Sequence, residues 1–178
     1  PPELIRSASK CDMLAPHDPP ALKLSRAAAI LSASMIRLRR RHVAVDPFEY
    51  RTIIGHFATG VTVITTRNGE LLHGMTANAI SSLSLDPVLL LICVDKTTHA
   101  HDVIGEGGAF AVNILGEHQE ALSRVFAKKG PPEAGTLRGQ PFREGETGVP
   151  ILADCLAFME CRVSQVLDGG DHTIFIGE

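Results

Sequence analysis

The chain has 178 residues, 44% of them hydrophobic and 4% aromatic, and its formal net charge is −3. A chain of this length supports one globular domain with an appendage, and it has no apolar run near the roughly 18 residues that a membrane-spanning helix needs. The acidic charge and the lack of interleaved basic and aromatic residues argue against a nucleic-acid partner.

The first 45 residues differ in composition from the rest of the chain. They carry eight Lys or Arg against three acidic residues, and five prolines fall within the first 20 positions. Residues 21–42 have apolar side chains at helical spacing and end in a basic run, which predicts an irregular tail followed by a basic amphipathic helix. We therefore predict an N-terminal extension over residues 1–45 and a main domain over residues 46–178. Met35 is a candidate natural start of the protein.

The main domain opens with signals for a helix and a β-hairpin. An Asp-Pro pair at positions 46–47 is typical of a helix start, and the helix is predicted to run to about Ala58. Residues 60–66 are mostly β-branched, which favours a strand. An Asn-Gly pair follows at positions 68–69, and this dipeptide between two strand-like runs is a strong hairpin signal. Residues 71–75 are therefore predicted to form the returning strand.

A polar loop and a buried strand are predicted next. Residues 76–84 are crowded with hydroxyl and amide side chains, which can hold a polar ligand without one dominant charge. An Asp-Pro pair at 86–87 is predicted to end this loop, because proline favours an extended conformation in the residue before it. The apolar run over residues 88–94 is predicted to be a buried strand. On composition alone, the polar stretch is also consistent with an ordinary connection between two strands.

Two short helices with a strand between them are predicted in the next part of the chain. The helices cover residues 97–105 and 117–126, and the strand covers residues 110–115. The Gly-rich segment after the first helix is predicted to be a C-terminal cap, and it is not a dinucleotide-binding fingerprint because it follows a helix instead of opening one. Residues 127–150 are predicted to be a long functional or mobile loop.

The last part of the main domain is predicted to be two further strands. Apolar and polar side chains alternate over residues 151–166, which predicts a half-exposed strand. A Gly-rich turn then leads into a strand over residues 172–176. The total of six strands and two or three short helices, with hairpin-type connections, predicts an antiparallel barrel or sandwich.

The four cysteines include no Cys-x-x-Cys pair. Cys93 lies in the predicted buried strand, and Cys155 and Cys161 are expected to share one face of a strand. We expect inert thiols in a reducing compartment, and hence a cytoplasmic protein, with no metal or redox centre. His99 and His101 lie two residues apart in a predicted helix, which does not align them as metal ligands, although His99 could approach a bound phosphate.

Three segments, in the same order along the chain, closely resemble the short-chain flavin reductase family. They are residues 57–66 (FATGVTVITT), residues 74–98 (GMTANAISSLSLDPVLLLICVDKTT) and residues 170–178 (GDHTIFIGE). Members of this family are the reductase components of two-component flavin-dependent monooxygenases. The resemblance implies a mainly β fold, the antiparallel FMN-binding split barrel with short helices. Because family members continue beyond the last predicted strand, we expect the chain to be truncated at its C-terminus.

The resemblance also implies which residues meet the ligands. The edge of the isoalloxazine ring is implied to lie along Thr76, Ala77, Asn78 and Ala79. The ribityl chain and phosphate are implied to be near Ser81, Ser82, Asp95, Lys96 and Thr97. The far end of the flavin is implied to border Phe126, Ala127 and Lys128. His172 is implied to lie beside the nicotinamide, although a His after a Gly-rich turn is also consistent with a structural role.

The function implied by the resemblance is NAD(P)H-dependent reduction of FMN or FAD. A homodimer is implied, which would release the reduced flavin to a separate flavin-dependent monooxygenase. Flavin and nicotinamide carry the hydride chemistry, so no catalytic acid, base or metal is obligatory. Two alternatives are a flavin-binding or electron-transfer protein of the same fold without reductase turnover, and a pyridoxamine-phosphate-oxidase-like enzyme on a related barrel. The choices between NADH and NADPH and between FMN and FAD stay open.

Overall fold

The computed structural model describes residues 45–178, and the tail and basic helix predicted before them lie outside the described residues. Residues Tyr50–Glu178 cluster as one unit, built mainly on antiparallel strands. No helix within the described part of the chain is both long enough and apolar enough to span a membrane.

Three α-helices, one 3-10 turn and ten strands occur within residues 45–178. The helices are α1 (Pro47–Ile54), α2 (His99–Gly107) and α3 (Glu120–Ala127), and the 3-10 turn (Glu117–Gln119) directly precedes α3. The strands are β1 (Thr62–Asn68), β2 (Leu71–Ala77), β3 (Ile80–Leu85), β4 (Val88–Asp95), β5 (Ala109–Ile114), β6 (Glu133–Ala134), β7 (Phe142–Glu144), β8 (Pro150–Leu152), β9 (Ala157–Gly169) and β10 (His172–Gly177).

Eight of these strands form one antiparallel sheet in the order β3-β4-β10-β9-β5-β1-β2-β6, and β7 and β8 form a separate hairpin. The 13-residue strand β9 joins the two halves of the sheet. Its first part pairs with β5 from Ala157 to Arg162, and its second part pairs with β10 from Val163 to Gly169. This arrangement confirms the prediction of a mainly β, antiparallel fold with short helices.

A helix start, a hairpin turn and a helix end lie where local sequence signals predict them. The Asp46 carboxylate accepts a 2.9 Å hydrogen bond from the N–H of Phe48, as expected for a helix start. In the β1–β2 hairpin, Gly69 has a φ of +58° and occupies the first position of a two-residue loop, which only glycine adopts at low cost. Gly108 ends α2 in the left-handed region, and its N–H donates to Ile104 at 2.9 Å.

The prediction of a polar loop over residues 76–84 is wrong, because most of this segment is β-sheet. Only Asn78 and Ala79 connect β2 to β3, and β3 pairs with β4 in an antiparallel hairpin closed at Asp86-Pro87. The backbone N–H and C=O groups of β4 need partners, and β3 supplies them along one edge. Of the serines that suggested a loop, Ser81 and Ser82 are exposed on this edge strand, and Ser84 is half-buried.

The single strand predicted over residues 151–166 is also wrong. The chain reverses after β8, where Asp154 has a φ of +59°, and β9 begins only at Ala157. Cys155 therefore lies in the connection, so it does not share a strand face with Cys161. The neighbouring loop over residues 127–150 contains the short strands β6 and β7.

The core lies on both faces of β1. Ile64 on one face packs in a cluster with Phe110 and Phe175, and Val63 on the other face packs in a cluster with Phe126. Phe126 comes from the last turn of α3, and its ring lies against Gly74 of β2. This contact brings the C-terminal end of α3 close to β2, and a cavity lies beside this junction.

Candidate functional site

A cavity of about 450 Å³, here called cavity A, lies between β2, the start of α2 and the segment that follows α3. Its apolar lining includes Met75 and Phe126, and its cationic lining consists of Lys128, Lys129 and Arg138. None of the side chains that line it is a carboxylate. A cavity of this size with convergent positive charge can bind an anionic ligand of nucleotide size.

The N-terminal end of α2 faces cavity A. Thr97, Thr98 and His99 line the cavity, and Thr98 occupies the position before the helix. The Thr98 hydroxyl donates to the backbone oxygen of Asp95 at 2.7 Å and does not cap the helix. The first N–H groups of α2 therefore present the positive end of the helix dipole to the cavity, an arrangement that favours bound anions.

Asp95 shapes the turn before α2. Its carboxylate accepts two 2.8 Å hydrogen bonds, from the N–H and from the hydroxyl of Thr97. These hydrogen bonds lower the pKa of Asp95, so the carboxylate stays charged. The Thr97 donors are thus held by Asp95, and Asp95 influences cavity A through Thr97.

The predicted flavin segment runs between two cavities. Thr76 lines cavity A, and its hydroxyl donates to the backbone oxygen of Ser123 on α3 at 2.6 Å. Ser81 and Ser82 line a second cavity of about 500 Å³, cavity B, beside β3, β4, β9 and β10. Ala77, Asn78 and Ala79 connect the strand beside cavity A to the strand beside cavity B.

Five of the predicted site residues come together around cavity A. They are Thr76, Thr97, Phe126, Ala127 and Lys128. Lys96 instead directs its ammonium group at the carboxylate of Asp168 and at the backbone oxygen of Gly170, the latter at 2.7 Å. This contact with Lys96 lowers the pKa of Asp168.

His172 lies at the first position of β10, directly after the β9–β10 turn. Its Nδ1 is 2.8 Å from a carboxylate oxygen of Asp171, and its side chain is 42% exposed. In the β4–β10 ladder it pairs with Asp95, so its backbone lies beside the turn that leads into α2. The ring is accessible to a ligand at this end of β10.

Comparison with known proteins identifies the family. Residues 54–178 match the flavin reductase like domain. The chain belongs to this family. The resemblance found in the three sequence segments is therefore confirmed.

This flavin reductase-like protein is similar to two named proteins and to one solved structure. The flavin-dependent monooxygenase reductase subunit HsaB of Mycobacterium tuberculosis is 38% identical over 133 residues, which cover 75% of this chain and 70% of that protein. The NADH-dependent FAD reductase of Streptomyces globisporus is 41% identical over 135 residues, covering 75% of this chain and 74% of that protein. The structure of flavin reductase PheA2 in its native state has 40% identity and a TM-score of 0.66, and the match covers 75% of this chain and 84% of that one.

The donors around cavity A of this flavin reductase-like protein fit the phosphate-bearing part of a flavin nucleotide. Lys128, Lys129, Arg138 and the N-terminus of α2 supply positive charge and hydrogen-bond donors. Met75 and Phe126 supply apolar surface next to these donors. Among residues 45–178, no group of three or more His, Cys, Asp or Glu side chains is arranged to hold a metal ion.

The sequence reasoning missed several residues that line cavity A. Those with polar side chains are His73, Thr98, Lys129 and Arg138. His73 directly precedes the Gly74 segment of the flavin motif, and that adjacency was the one signal available for it. Arg138 lies in the long segment after α3, where no local pattern indicates that its side chain folds back toward β2.

Proposed function

We propose that this flavin reductase-like protein uses NADH or NADPH to reduce FMN or FAD and releases the reduced flavin to a separate flavin-dependent monooxygenase. The observation that carries the proposal is cavity A, where an uncapped helix N-terminus and three cationic side chains adjoin the Thr76 segment. The names of the relatives, a monooxygenase reductase subunit and an NADH-dependent FAD reductase, support the same activity.

In the proposed complex, the phosphate of the flavin is held by Lys128 and the first N–H groups of α2. The edge of the flavin ring lies along Thr76, Ala77, Asn78 and Ala79. The further proposed flavin contacts are Ser81, Ser82, Lys96, Thr97, Phe126 and Ala127, and Asp95 acts through the hydrogen bonds that orient Thr97. Neutral hydroxyls and backbone amides suit the carbonyls and nitrogens of the ring, which carry no full charge.

The protein supplies binding and orientation for the hydride transfer. When both ligands are bound, nicotinamide supplies the hydride and flavin accepts it, and this requires the two reacting atoms to lie about 3 to 3.5 Å apart. The accessible ring of His172, oriented by Asp171, is proposed to contact the nicotinamide nucleotide. No side chain needs to donate or remove a proton at the reacting atoms.

Replacing His172 tests its proposed role. His172→Ala is expected to raise the Michaelis constant for the nicotinamide nucleotide about tenfold, because a ligand hydrogen bond is lost, and to change that for flavin by less than about twofold. Steady-state kinetics with each substrate varied in turn provide the measurement. Unchanged kinetics for the nicotinamide nucleotide would reject this role.

An oxidation assay separates the proposed reductase from a flavin-binding protein without turnover. Purified protein with FMN or FAD is expected to oxidise NADH or NADPH many times per protein molecule in air, since oxygen regenerates the flavin. A flavin-dependent monooxygenase added to the assay should use reduced flavin that the reductase has released. No electrons should pass directly from the reductase to the monooxygenase. Tight flavin binding with no oxidation of reduced nicotinamide would favour the flavin-binding alternative.

We also propose that the flavin reductase-like domain spans residues 46–178, that it forms a homodimer and that it is cytoplasmic. The apolar side chains of Leu85 and Val88 are 84% and 69% exposed at the β3–β4 hairpin, which supports a second subunit covering them. All cysteines within residues 45–178 are free thiols, which supports a reducing compartment. Sedimentation equilibrium tests the dimer, and a monomer at micromolar concentration would contradict it.

A further inference from the structure

Two side chains that line cavity A, His73 and Arg138, are not among the residues assigned to individual parts of the flavin in the proposed complex. His73 lies on β2 directly before Gly74, and only 6% of the residue is exposed. None of the hydrogen bonds formed among residues 45–178 involves its ring. A buried polar group without a partner is costly, so an imidazole in this state calls for an explanation.

The ring nitrogens of His73 are open to cavity A. Among the described residues, the only side-chain nitrogen or oxygen that is both sealed from solvent and without a partner is Nε of Arg67. The nitrogens of His73 are therefore not sealed, and the space that adjoins the ring is cavity A. A ligand in the cavity can supply the missing hydrogen bond.

The position and charge of the His73 ring are set by its neighbours. The ring of His99 meets it edge-on, with the centroids 6.3 Å apart. Burial, the largest cause, and electrostatic interactions with Arg138 and His99 lower the pKa of His73 to about 4. At neutral pH the ring is therefore uncharged, and it offers one hydrogen-bond donor and one acceptor.

Two hydrogen bonds to neighbouring segments hold Arg138 in place. Its Nη1 donates to the backbone oxygen of Val125 at 2.9 Å, and its backbone N–H donates to the carboxylate of Glu133 at 3.2 Å. The guanidinium carbon lies 6.0 Å from the centroid of the Phe126 ring. Among residues 45–178, this Val125 contact is the only hydrogen bond that the guanidinium makes, so its other donors remain for a ligand.

Gly130 leaves room for this guanidinium. A Cβ atom at position 130 would lie 3.0 Å from Nη2 of Arg138, so a larger residue would press on the group. An arginine that is anchored at one nitrogen and unhindered at the other is already oriented before a ligand binds. Such a planar group matches the oxygens of a phosphate better than a flexible ammonium does.

We propose that Arg138 and His73 are phosphate-contacting residues that select flavin nucleotides over flavin without phosphate. Arg138 donates charged hydrogen bonds to phosphate oxygens, and His73 donates a neutral one from the adjacent wall. This inference rests on the proposed flavin reductase function and deepens it, because it assigns the group on the ligand that these two side chains recognise.

Titrations of three flavins with matched variants test the proposal. The variants are Arg138→Gln, His73→Phe and the control Arg124→Gln, which removes the same charge from an exposed arginine paired with Glu120 on α3. Arg138→Gln is expected to raise the dissociation constants of FMN and FAD at least tenfold and to leave that of riboflavin within twofold. His73→Phe keeps a ring and loses the nitrogens, so about a fivefold rise for FMN and FAD is expected. The control should leave all three unchanged.

Several results would overturn the assignment. One is that Arg138→Gln weakens the binding of riboflavin and of FMN equally, and another is that it leaves FMN affinity unchanged. A third is a raised Michaelis constant for NADH with FMN affinity unchanged, which would mean that Arg138 contacts a phosphate of the nicotinamide nucleotide. If His73→Phe does not fold, Arg138→Gln decides the question. Wild-type protein that binds none of the three flavins would overturn the proposed function and this assignment together. Wild-type protein that binds FMN with no dependence on Arg138 would overturn the assignment alone.

Discussion

Two lysines near the proposed flavin site have different partners. Lys128 lines cavity A, whereas the ammonium of Lys96 pairs with Asp168 and with a carbonyl of the β9–β10 turn. Lys96 must leave this ion pair before it can contact a phosphate, and Lys128 need not. Lys128 is therefore better placed than Lys96 to hold the phosphate, although both lie in segments that match the family.

The two lysines should accordingly respond differently to the same substitution. Lys128→Met is expected to raise the dissociation constant of FMN about tenfold, because a charge near the phosphate is lost. Lys96→Met is expected to raise it by less than about threefold. Fluorescence titration of FMN measures both values. A larger effect of Lys96→Met would mean that Lys96, and not Lys128, holds the phosphate.

His73 should also make stability depend on pH. Its pKa falls from 6.5 to about 4 in the folded protein, first because of burial. As the pH falls below 6.5, the unfolded chain binds a proton at this position that the folded protein does not accept until about pH 4. The free energy of unfolding should therefore fall by about 1.4 kcal/mol per pH unit within this window.

Urea unfolding of wild-type protein and His73→Phe between pH 7 and pH 4.5 measures this contribution. The variant cannot be protonated at this position, so its unfolding free energy should fall less steeply with decreasing pH. Parallel profiles for the two proteins would show that the ring of His73 is not kept neutral by folding.

At the scale of elements, contact between α3 and β2 forms one wall of cavity A. A Cβ atom at position 74 would lie 2.6 Å from the Phe126 ring, closer than real Cβ contacts. Gly74→Ala should therefore displace Phe126 and the end of α3, lowering stability by about 1 to 3 kcal/mol and weakening FMN binding. Unfolding in urea and FMN titration test both effects.

Gly105 on α2 provides the matched control for this substitution. A Cβ atom there would have no heavy atom within 4 Å. Gly105→Ala is expected to raise stability by about 0.5 to 1 kcal/mol, because alanine favours a helix interior, and to leave FMN binding unchanged. If both alanine variants bind FMN like the wild type, the α3–β2 contact does not shape the site.

The buried side-chain amide of Asn113 links strand β5 to strands β1 and β8. Asn113 of β5 donates to the backbone oxygen of Val63 at 3.0 Å and to Thr65 Oγ1 at 2.9 Å. Its own oxygen accepts the N–H of Leu152 at 2.9 Å. The whole residue is buried, so none of these groups can find water in its place.

Loss of this amide should cost more stability than loss of an exposed one. Asn113→Ala is expected to lower the free energy of unfolding by about 3 kcal/mol, since buried donors and acceptors lose their partner. Asn68→Ala removes a side chain that bonds to Glu106 in an exposed position, and less than about 1 kcal/mol is expected. Equal costs for the two variants in urea unfolding would argue against the buried network.

Elements with a local signal were predicted from the sequence, and elements that depend on distant partners were not. The Asn-Gly hairpin and a helix cap within the Gly-rich segment follow from the backbone preferences of single residues, and both are confirmed, the cap at Gly108. Strand β3 was predicted as a loop because its serines are typical of turns, and its pairing with β4 decides its structure instead. Strands β6 to β8 are two or three residues long and leave no periodic pattern to read.

At the scale of the whole molecule, the family and the antiparallel fold could be predicted from the sequence because three motifs lie in order along the chain. The composition of the site could be predicted only in part. Cavity A is assembled from β2, the start of α2 and the segment after α3, and Arg138 is 65 residues beyond His73 in the chain. Proximity of this kind is created by the sheet, so the sequence pattern around each residue does not contain it.

We conclude that this fold holds a flavin for reduction by a nicotinamide nucleotide. Rapid mixing of NADH or NADPH with the flavin-loaded protein, in the absence of oxygen, tests it most directly. We expect loss of the oxidised-flavin absorbance many times faster than in a protein-free mixture, with oxidation of one nicotinamide for each flavin. If neither NADH nor NADPH reduces the flavin faster with the protein than without it, this conclusion is contradicted.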